Sequence, residues 1–154
     1  MDDPVTIRVA EVADVSAVLR IYSQPALDAG EVLSSEAAAA LLERFSSYPN
    51  YSLYVACVDG EVVGTFALLV MDNLGHLGRR SAIVEDVAVE PRYQGRGIGG
   101  QMMRFAMRKA AEFDCYKLTL SAAGHRADAH RFYESLGFER HGYSFMVPLS
   151  HRGT

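Results

Sequence analysis

The feature that most constrains this chain is the junction over residues 83–113. A β-branched run (Ile83, Val84, Val87, Val89) ends at Pro91, glycines follow at positions 95, 97, 99 and 100, and a helix begins near Ile98. In that helix Ile98, Met102, Phe105, Ala106 and Phe113 recur at helical spacing, while Gln101, Arg104, Arg108 and Glu112 take the other face. A strand, a glycine turn and a helix in this order bring N–H groups with no Cβ in front of them to the unpaired donors of a first helical turn. Such a junction suits an anion. The helix dipole adds about 0.3–1 kcal/mol per nearby charge, and Arg92 and Arg96 add formal positive charge.

The run from Gly95 to Gly100 also satisfies GxGxxG, the dinucleotide fingerprint, but its surroundings do not. That fingerprint follows its strand directly and needs an acidic residue at the end of the next strand. Here Glu90, Pro91, Arg92, Tyr93 and Gln94 intervene, and the next β-prone run, residues 117–121, ends without an acid. A nicotinamide or flavin site is not expected, and GxxxxGK[ST] does not occur.

The rest of the chain supplies a strand over residues 5–9 and a helix with Val15, Val18, Leu19 and Tyr22 on one face, capped by Asp14. A second helix starts at Ser34 or Ser35 and carries Ala37, Leu41, Leu42 and Phe45. Runs 51–58 and 62–71, joined through Asp59-Gly60-Glu61, read as a hairpin. The polar loop 72–80 holds His76, Arg79 and Arg80; a loop of this kind carries binding groups or is simply solvated. A strand over 116–121, a helix over 126–136 closed by Gly137, and a last hairpin of 138–141 with 143–149 complete the order.

The chain is expected to form one domain over residues 1–154, since that length supports one sizeable core and not two. A hydrophobic content of 49% against 22% charged residues places it among globular proteins rather than disordered ones. A net charge of -4, with no basic cluster beyond Arg79-Arg80, argues against a nucleic-acid partner. No apolar run approaches the roughly 18 residues of a membrane span, and the acidic MDDPV start is unlike a signal peptide, so a cytoplasmic location is expected. Cys57 and Cys115 lie in or beside strand-like runs without metal-ligand spacing and read as free core thiols, with no metal site expected.

Two segments carry a resemblance. Arg92-Tyr93-Gln94-Gly95-Arg96-Gly97 followed by Ile98-Gly99 resembles the Q/R-x-x-G-x-G/A pyrophosphate loop of the GNAT superfamily of N-acetyltransferases, and Ala129 through Phe138 (AHRFYESLGF) resembles its A-x-x-F-Y-x-x-x-G-F signature. The resemblance implies the α/β GNAT fold: a mixed, mostly antiparallel sheet of about seven strands flanked by about four helices. The expected order is strand, two helices, three strands, helix, strand, helix and two strands. It implies acetyl-CoA as co-substrate, with Val87, Ala88, Val89, Gln94, Gly95, Arg96, Gly97, Ile98, Gly99, Gly100, Arg126 and Phe132 as the residues that hold it. Arg126 stands where many members have an asparagine that contacts the pantetheine arm.

The chemistry expected of such a chain is transfer of an acetyl group to a primary amine. An amine with a pKa near 10.4 is mostly protonated at pH 7, and freeing its lone pair costs on the order of 4 kcal/mol, so a base or a water wire to one is needed. Glu85 and Asp86 are the carboxylates in the central strand's apolar run, and alternation points them to opposite faces unless a bulge intervenes. Glu85 acting through water is the first candidate base and Asp86 the second; the structural alternative is an ion pair with Arg79 or Arg80. A backbone N–H near Val87 or Ala88 is a candidate oxyanion donor. The resemblance makes Tyr133 the group that protonates or hydrogen-bonds the coenzyme sulfur, although its place on an apolar helix stripe also fits a core tyrosine. Tyr22 and Tyr48 lie where the superfamily covers its acceptor, or else pack at helix edges.

Further likeness to aminoalkylphosphonate and glucosamine-6-phosphate N-acetyltransferases, carried by residues 126–133, 59–64, the Glu85-Asp86 pair and Cys115-Tyr116-Lys117, extends the expectation to a small-molecule amine bearing a phosphonate or phosphate. Arg126, Arg79 or Arg80 would bind that group. The rival functions are a protein or peptide N-acetyltransferase and a non-catalytic acyl-CoA-binding sensor or subunit. Tyr143, Phe145 and Val147 would complete either a homodimer or the core of a monomer.

Overall fold

A computed structural model of the chain describes residues 3–25, 27–122 and 126–149. They divide into two compact units, Met1–Leu120 and Ser121–Thr154. The first unit holds a five-stranded sheet in the order β1-β2-β3-β4-β5, formed by β1 (Thr6–Val9), β2 (Tyr51–Val58), β3 (Glu61–Met71), β4 (Arg80–Val89) and β5 (Cys115–Thr119). The first four strands pair antiparallel, and β5 runs parallel to β4. The β2–β3 turn places both Asp59 (φ 50°) and Gly60 (φ 79°) in the left-handed region, the geometry that matches the twist of a tight hairpin.

Two helix layers cover the sheet. On one face α1 (Val15–Tyr22) buries Val18 and Ile21 against Val55, Cys57 and Ala88. Beside it α2 (Ser35–Phe45) starts where Ser34 Oγ accepts a hydrogen bond from the Ala37 N–H at 3.1 Å, and none of its residues is fully buried. On the other face α3 (Ile98–Glu112) buries Ile98, Met102, Met103, Ala106 and Ala110, and Phe105 sits edge-on to the stacked pair Tyr54 and Phe66. Gly64 is what lets α3 lie so close to β3, since a Cβ there would be 2.9 Å from Met102 Sδ.

Asp14 does not cap α1 by its side chain. Its buried carboxylate accepts from both guanidinium nitrogens of Arg8 (2.7 and 2.9 Å) and from the Glu11 N–H (2.7 Å), tying β1 to the 3-10 turn that precedes α1. β4 begins three residues before the Ile83 start of its β-branched run, because Ser81 and Ala82 continue the ladder with Met71 and Val70.

The second unit contains α4 (Ala127–Ser135), where the rings of Phe132, Tyr133 and Phe138 pack together. The helix ends in a Schellman motif: the Gly137 N–H donates to Glu134 O and the Phe138 N–H to Tyr133 O, with Gly137 at φ 97°. The expected last hairpin is not formed, so the described residues carry five strands rather than seven. Residues 138–149 carry no ladder pairing; a two-stranded hairpin alone is marginal in water, and Pro148 lacks a donor for it.

The Arg8 pair holds the Asp14 carboxyl below its ordinary pKa, so its stabilising effect is complete above the unfolded-state value near 4 and is lost as pH falls through the lowered one. Asp14→Asn is therefore expected to cost about 1–3 kcal/mol in urea unfolding at pH 7. The gap between variant and parent should narrow below about pH 4; a gap that stays constant down to pH 2 would contradict this role.

Candidate active site

The site is built around an irregularity in β4. Thr65 pairs with Ala88 and Ala67 with Glu85, so two steps along β3 oppose three along β4. The extra residue is accommodated by Asp86, whose φ of 54° lies in the left-handed region. This is a β-bulge, and it removes the alternation that would have sent the two acids to opposite faces. Glu85 shares a row with Ala67 and Leu53 on the face covered by α1 and α2, and Asp86 lines a cavity on that same face. Both side chains are solvent-exposed.

Two tyrosines report on these carboxylates. Tyr22 Oη, at the end of α1, donates to the Asp86 backbone carbonyl at 3.2 Å. Burial, and next the Asp86 charge, pushes its phenol above the ordinary value. Tyr51 is raised by burial and then by Asp86 and Glu85 together, so the negative field of the bulge covers the start of β2 as well. The alternative pairing of these acids does not occur: Arg79 lies 3.7 Å from Asp114 and Arg80 lies 3.1 Å from Asp72, both at the opposite end of β4. His76 stacks on Tyr116, and Tyr48 packs by Tyr51.

Two residues before the bulge, β4 loses β5 as a neighbour. Pairing between β4 and β5 covers Arg80, Ala82 and Ile83 and ends at Thr119, which leaves Val84–Val89 with one edge free of β5. Beyond Val89 a 3-10 turn, Pro91–Tyr93, leads into the glycine loop. Gly95 (φ 77°) and Gly97 (φ 80°) are both left-handed, and Gly97 is the N-cap of α3 with no side chain to satisfy the first-turn N–H groups. Ile98 and Gly100 are buried where the helix begins. The loop is braced from below. Gln94 Nε2 and Gln24 Nε2 donate to Val89 O at 3.1 and 3.2 Å, and Glu90 binds Arg92 at 2.8 Å and lies 3.8 Å from Arg20. Arg92 also pairs with Glu61, and Arg96 stacks on Tyr93 while pairing with Asp3 at 2.6 Å.

Tyr133, Phe132 and Arg126 belong to the second unit, Arg126 at the N-cap of α4. Burial raises the Tyr133 phenol, and the Arg126 charge works in the opposite direction. Gln24 and Tyr51 are the residues of this site that sequence reasoning missed. Gln24 sits in an irregular stretch with no periodicity to mark it, and Tyr51 reads as an ordinary strand aromatic.

An open strand edge next to a glycine-lined helix N-terminus, with two acids bulged toward the opposite helix layer, defines an α/β fold suited to an extended ligand with an anionic end. The chain belongs to the Acetyltransferase (GNAT) family, whose pattern it matches over residues 16–138. It is similar to a glucosamine 6-phosphate N-acetyltransferase of Trypanosoma brucei brucei (32% identical over 90 residues, 58% of this chain and 59% of that one). It is also similar to an aminoalkylphosphonate N-acetyltransferase of Salmonella typhimurium (33% over 101 residues, 66% and 65%). A solved Trypanosoma brucei acetyltransferase superposes with a TM-score of 0.82 at 26% identity, covering 95% of this chain and all of the other. The matched stretches thus span less than two thirds of the length of these two enzymes. Among the described residues no helix is long and apolar enough to cross a membrane.

Because Asp86 holds a left-handed backbone, a β-branched residue there should be strained. Asp86→Val is expected to lower stability by about 1–2 kcal/mol, and Asp86→Gly to leave the urea midpoint near that of the parent. Equal loss in both variants would mean that the side chain, not the backbone conformation, sustains the bulge.

Proposed function

We propose that the chain, acting as one domain, is an N-acetyltransferase that moves the acetyl group of acetyl-CoA to the primary amine of a small molecule. The observation that carries this reading is the free edge of Val84–Val89 running directly into the glycine loop and the N-terminus of α3. Backbone groups of Val87, Ala88 and Val89 fit an extended amide-bearing arm, and the N–H groups over residues 94–100 fit its diphosphate. Phe132 and Arg126 belong to the same binding set on the strength of the motif around them. Acetyl-CoA supplies an electrophilic thioester carbonyl.

The chain's own residues account for the proton movements. Glu85, through water, takes a proton from the ammonium, with Asp86 as the second candidate; the bulge puts both on the face that carries the cavity. The freed nitrogen forms a bond to the acetyl carbon as the carbon–sulfur bond breaks, and the second proton that this nitrogen sheds on becoming an amide passes through water and restores the proton that Tyr133 gives up. A backbone N–H of Val87 or Ala88 meets the developing oxyanion, a contribution of about 2.7–4 kcal/mol for such donors. Tyr133 Oη gives its proton to the departing sulfur; burial raises the phenol and so keeps it protonated at neutral pH. A cytoplasmic site of action fits the two free cysteines.

The names of two relatives favour an acceptor with a phosphate or phosphonate. In this chain Arg79 and Arg80 are committed to Asp114 and Asp72 away from the bulge. Arg126, the third candidate for that group, lies at the N-cap of α4, and the reading rests on the amine rather than on an anionic group.

Acetyl-CoA is expected to raise the melting temperature, and a chain with Gly95 and Gly97 both changed to alanine should lose that shift. Release of free thiol on adding an amine panel separates an enzyme from a sensor. Tyr133→Phe should lower kcat at least tenfold with little change in acetyl-CoA affinity. Unaltered kcat on the best amine would take Tyr133 out of the mechanism, and no thiol release with any amine would leave only the coenzyme-binding function.

A further inference from the structure

The face that carries the two acids also holds a cavity of about 150 Å³ between α1, α2 and the sheet. Its walls are Val15, Val18, Leu42, Phe45, Leu53 and Ala67, with Tyr22 and Asp86 among the remaining lining residues. No lysine or arginine lines it among the described residues, and its two ionisable acids are Glu11 and Asp86. Val15, Val18 and Ala67 are buried whereas Glu11, Asp86, Leu33 and Leu41 are exposed, so the cavity runs from a mouth of two acids and two leucines to an apolar floor.

Empty apolar space is costly in a protein interior, because the atoms around it lose contacts on one side. Here α2 contributes no fully buried residue: Leu42 packs against the core and Phe45 stacks on Tyr51 at 4.5 Å, and the space lies beside them. The space is open to solvent at its mouth, and about 150 Å³ is room for a body the size of benzene. The field at the mouth is negative and suits an ammonium; a phosphate or phosphonate would meet the carboxylate of Asp86 and no cation.

We propose that the acceptor is a primary amine with an uncharged apolar body of about six carbons, its nitrogen at Asp86 and its body between α1 and α2. This inference rests on the acetyltransferase reading above and names its substrate class. Leu42, Phe45 and Leu53 then determine specificity by the shape of the space they leave. One misplaced methylene in such a pocket changes kcat/KM by about 10–200-fold, so the discrimination should be large enough to measure.

The test uses the full chain with four amines: 2-phenylethylamine, ethanolamine, 2-aminoethylphosphonate and glucosamine 6-phosphate. The expected result is a kcat/KM for 2-phenylethylamine at least tenfold above each of the others. Leu42→Trp, which fills the cavity, should reduce the ratio of 2-phenylethylamine to ethanolamine at least tenfold; Ala38→Leu, a smaller intrusion from the same helix, should reduce it in the same direction if the tryptophan variant does not fold. A phosphonate or phosphate amine as the best substrate overturns the proposal while the acetyltransferase reading stands. So does a ratio unchanged in a folded variant. Binding gives a readout free of turnover: 2-phenylethylamine should raise the melting temperature of the parent more than that of the variant. A shift without thiol release would sink the enzymatic reading and keep the apolar site, whereas no shift and no preference would sink the site.

Discussion

Strand β4 has to serve two neighbours with conflicting geometry, and the single extra residue at Asp86 resolves the conflict. Up to Ile83 the strand lies between β3 and β5 as an ordinary member of the sheet. Beyond it, β3 continues on one side and nothing from β5 follows on the other. A bulge adds local twist and bends the strand that contains it. The strand stays hydrogen-bonded to β3 along one edge while the other, beyond Ile83, is without β5, and in the proposed reading that edge takes the extended ligand. The same residue that produces the bend also turns its own carboxylate toward α1 and α2. Geometry and charge at the site therefore have one cause, and a strained φ is its cost.

A bent strand end must be held, and the surrounding side chains do this from both directions. The Val89 carbonyl, at the last position of β4, accepts from Gln94 in the loop ahead and from Gln24 just after α1. Glu90, largely shielded from water, sits between Arg92 and Arg20, and its N–H donates to Val63 O at 2.8 Å, prolonging contact with β3. Arg92 is engaged with acids and stacked over Tyr93, so it acts as a brace for the loop and not as a free cation waiting for an anion. In the proposed reading, anion affinity in this loop depends mainly on main-chain conformation, which the two left-handed glycines set.

The parts of this architecture that were legible in the sequence are those encoded within a few residues. Left-handed turns need glycine or a short polar residue, so the loop at 95–100, the Asp59-Gly60 hairpin and the Gly137 stop of α4 could each be read locally. The stripe on α3 was legible for the same reason, since its period lies within one helix. The bulge was not, because its position is a property of the register between β3 and β4, and Glu85-Asp86 looks the same with or without it. Asp14 misled as a helix cap because its true partner, Arg8, lies on β1, outside the helix it precedes. The final hairpin read as strands from its alternating Tyr143, Phe145, Val147 and Leu149; alternation records which residues could share a face and not whether a neighbouring strand is there to pair with them.

The cavity is the part least accessible from sequence, and it follows from how the two faces of the sheet are packed. On the α3 side Gly64 removes a Cβ at the point of closest approach, and large residues fill the layer: Met102, Met103 and Phe66 are all fully buried. On the α1–α2 side small and medium residues line the floor, and α2 contributes alanines at 37–40 where a tightly docked helix would place bulk. A close-packed face resists change because adding or removing a methylene is felt at once. A face with space left in it tolerates substitution at modest cost. The sheet thus separates two tasks: its rigid side and its main chain fix the strand edge and the loop, while its loosely filled side can be reshaped residue by residue. Relatives named here carry the names of chemically different amines, and under the proposed reading that division would let the acceptor change without disturbing the groups assigned to the donor.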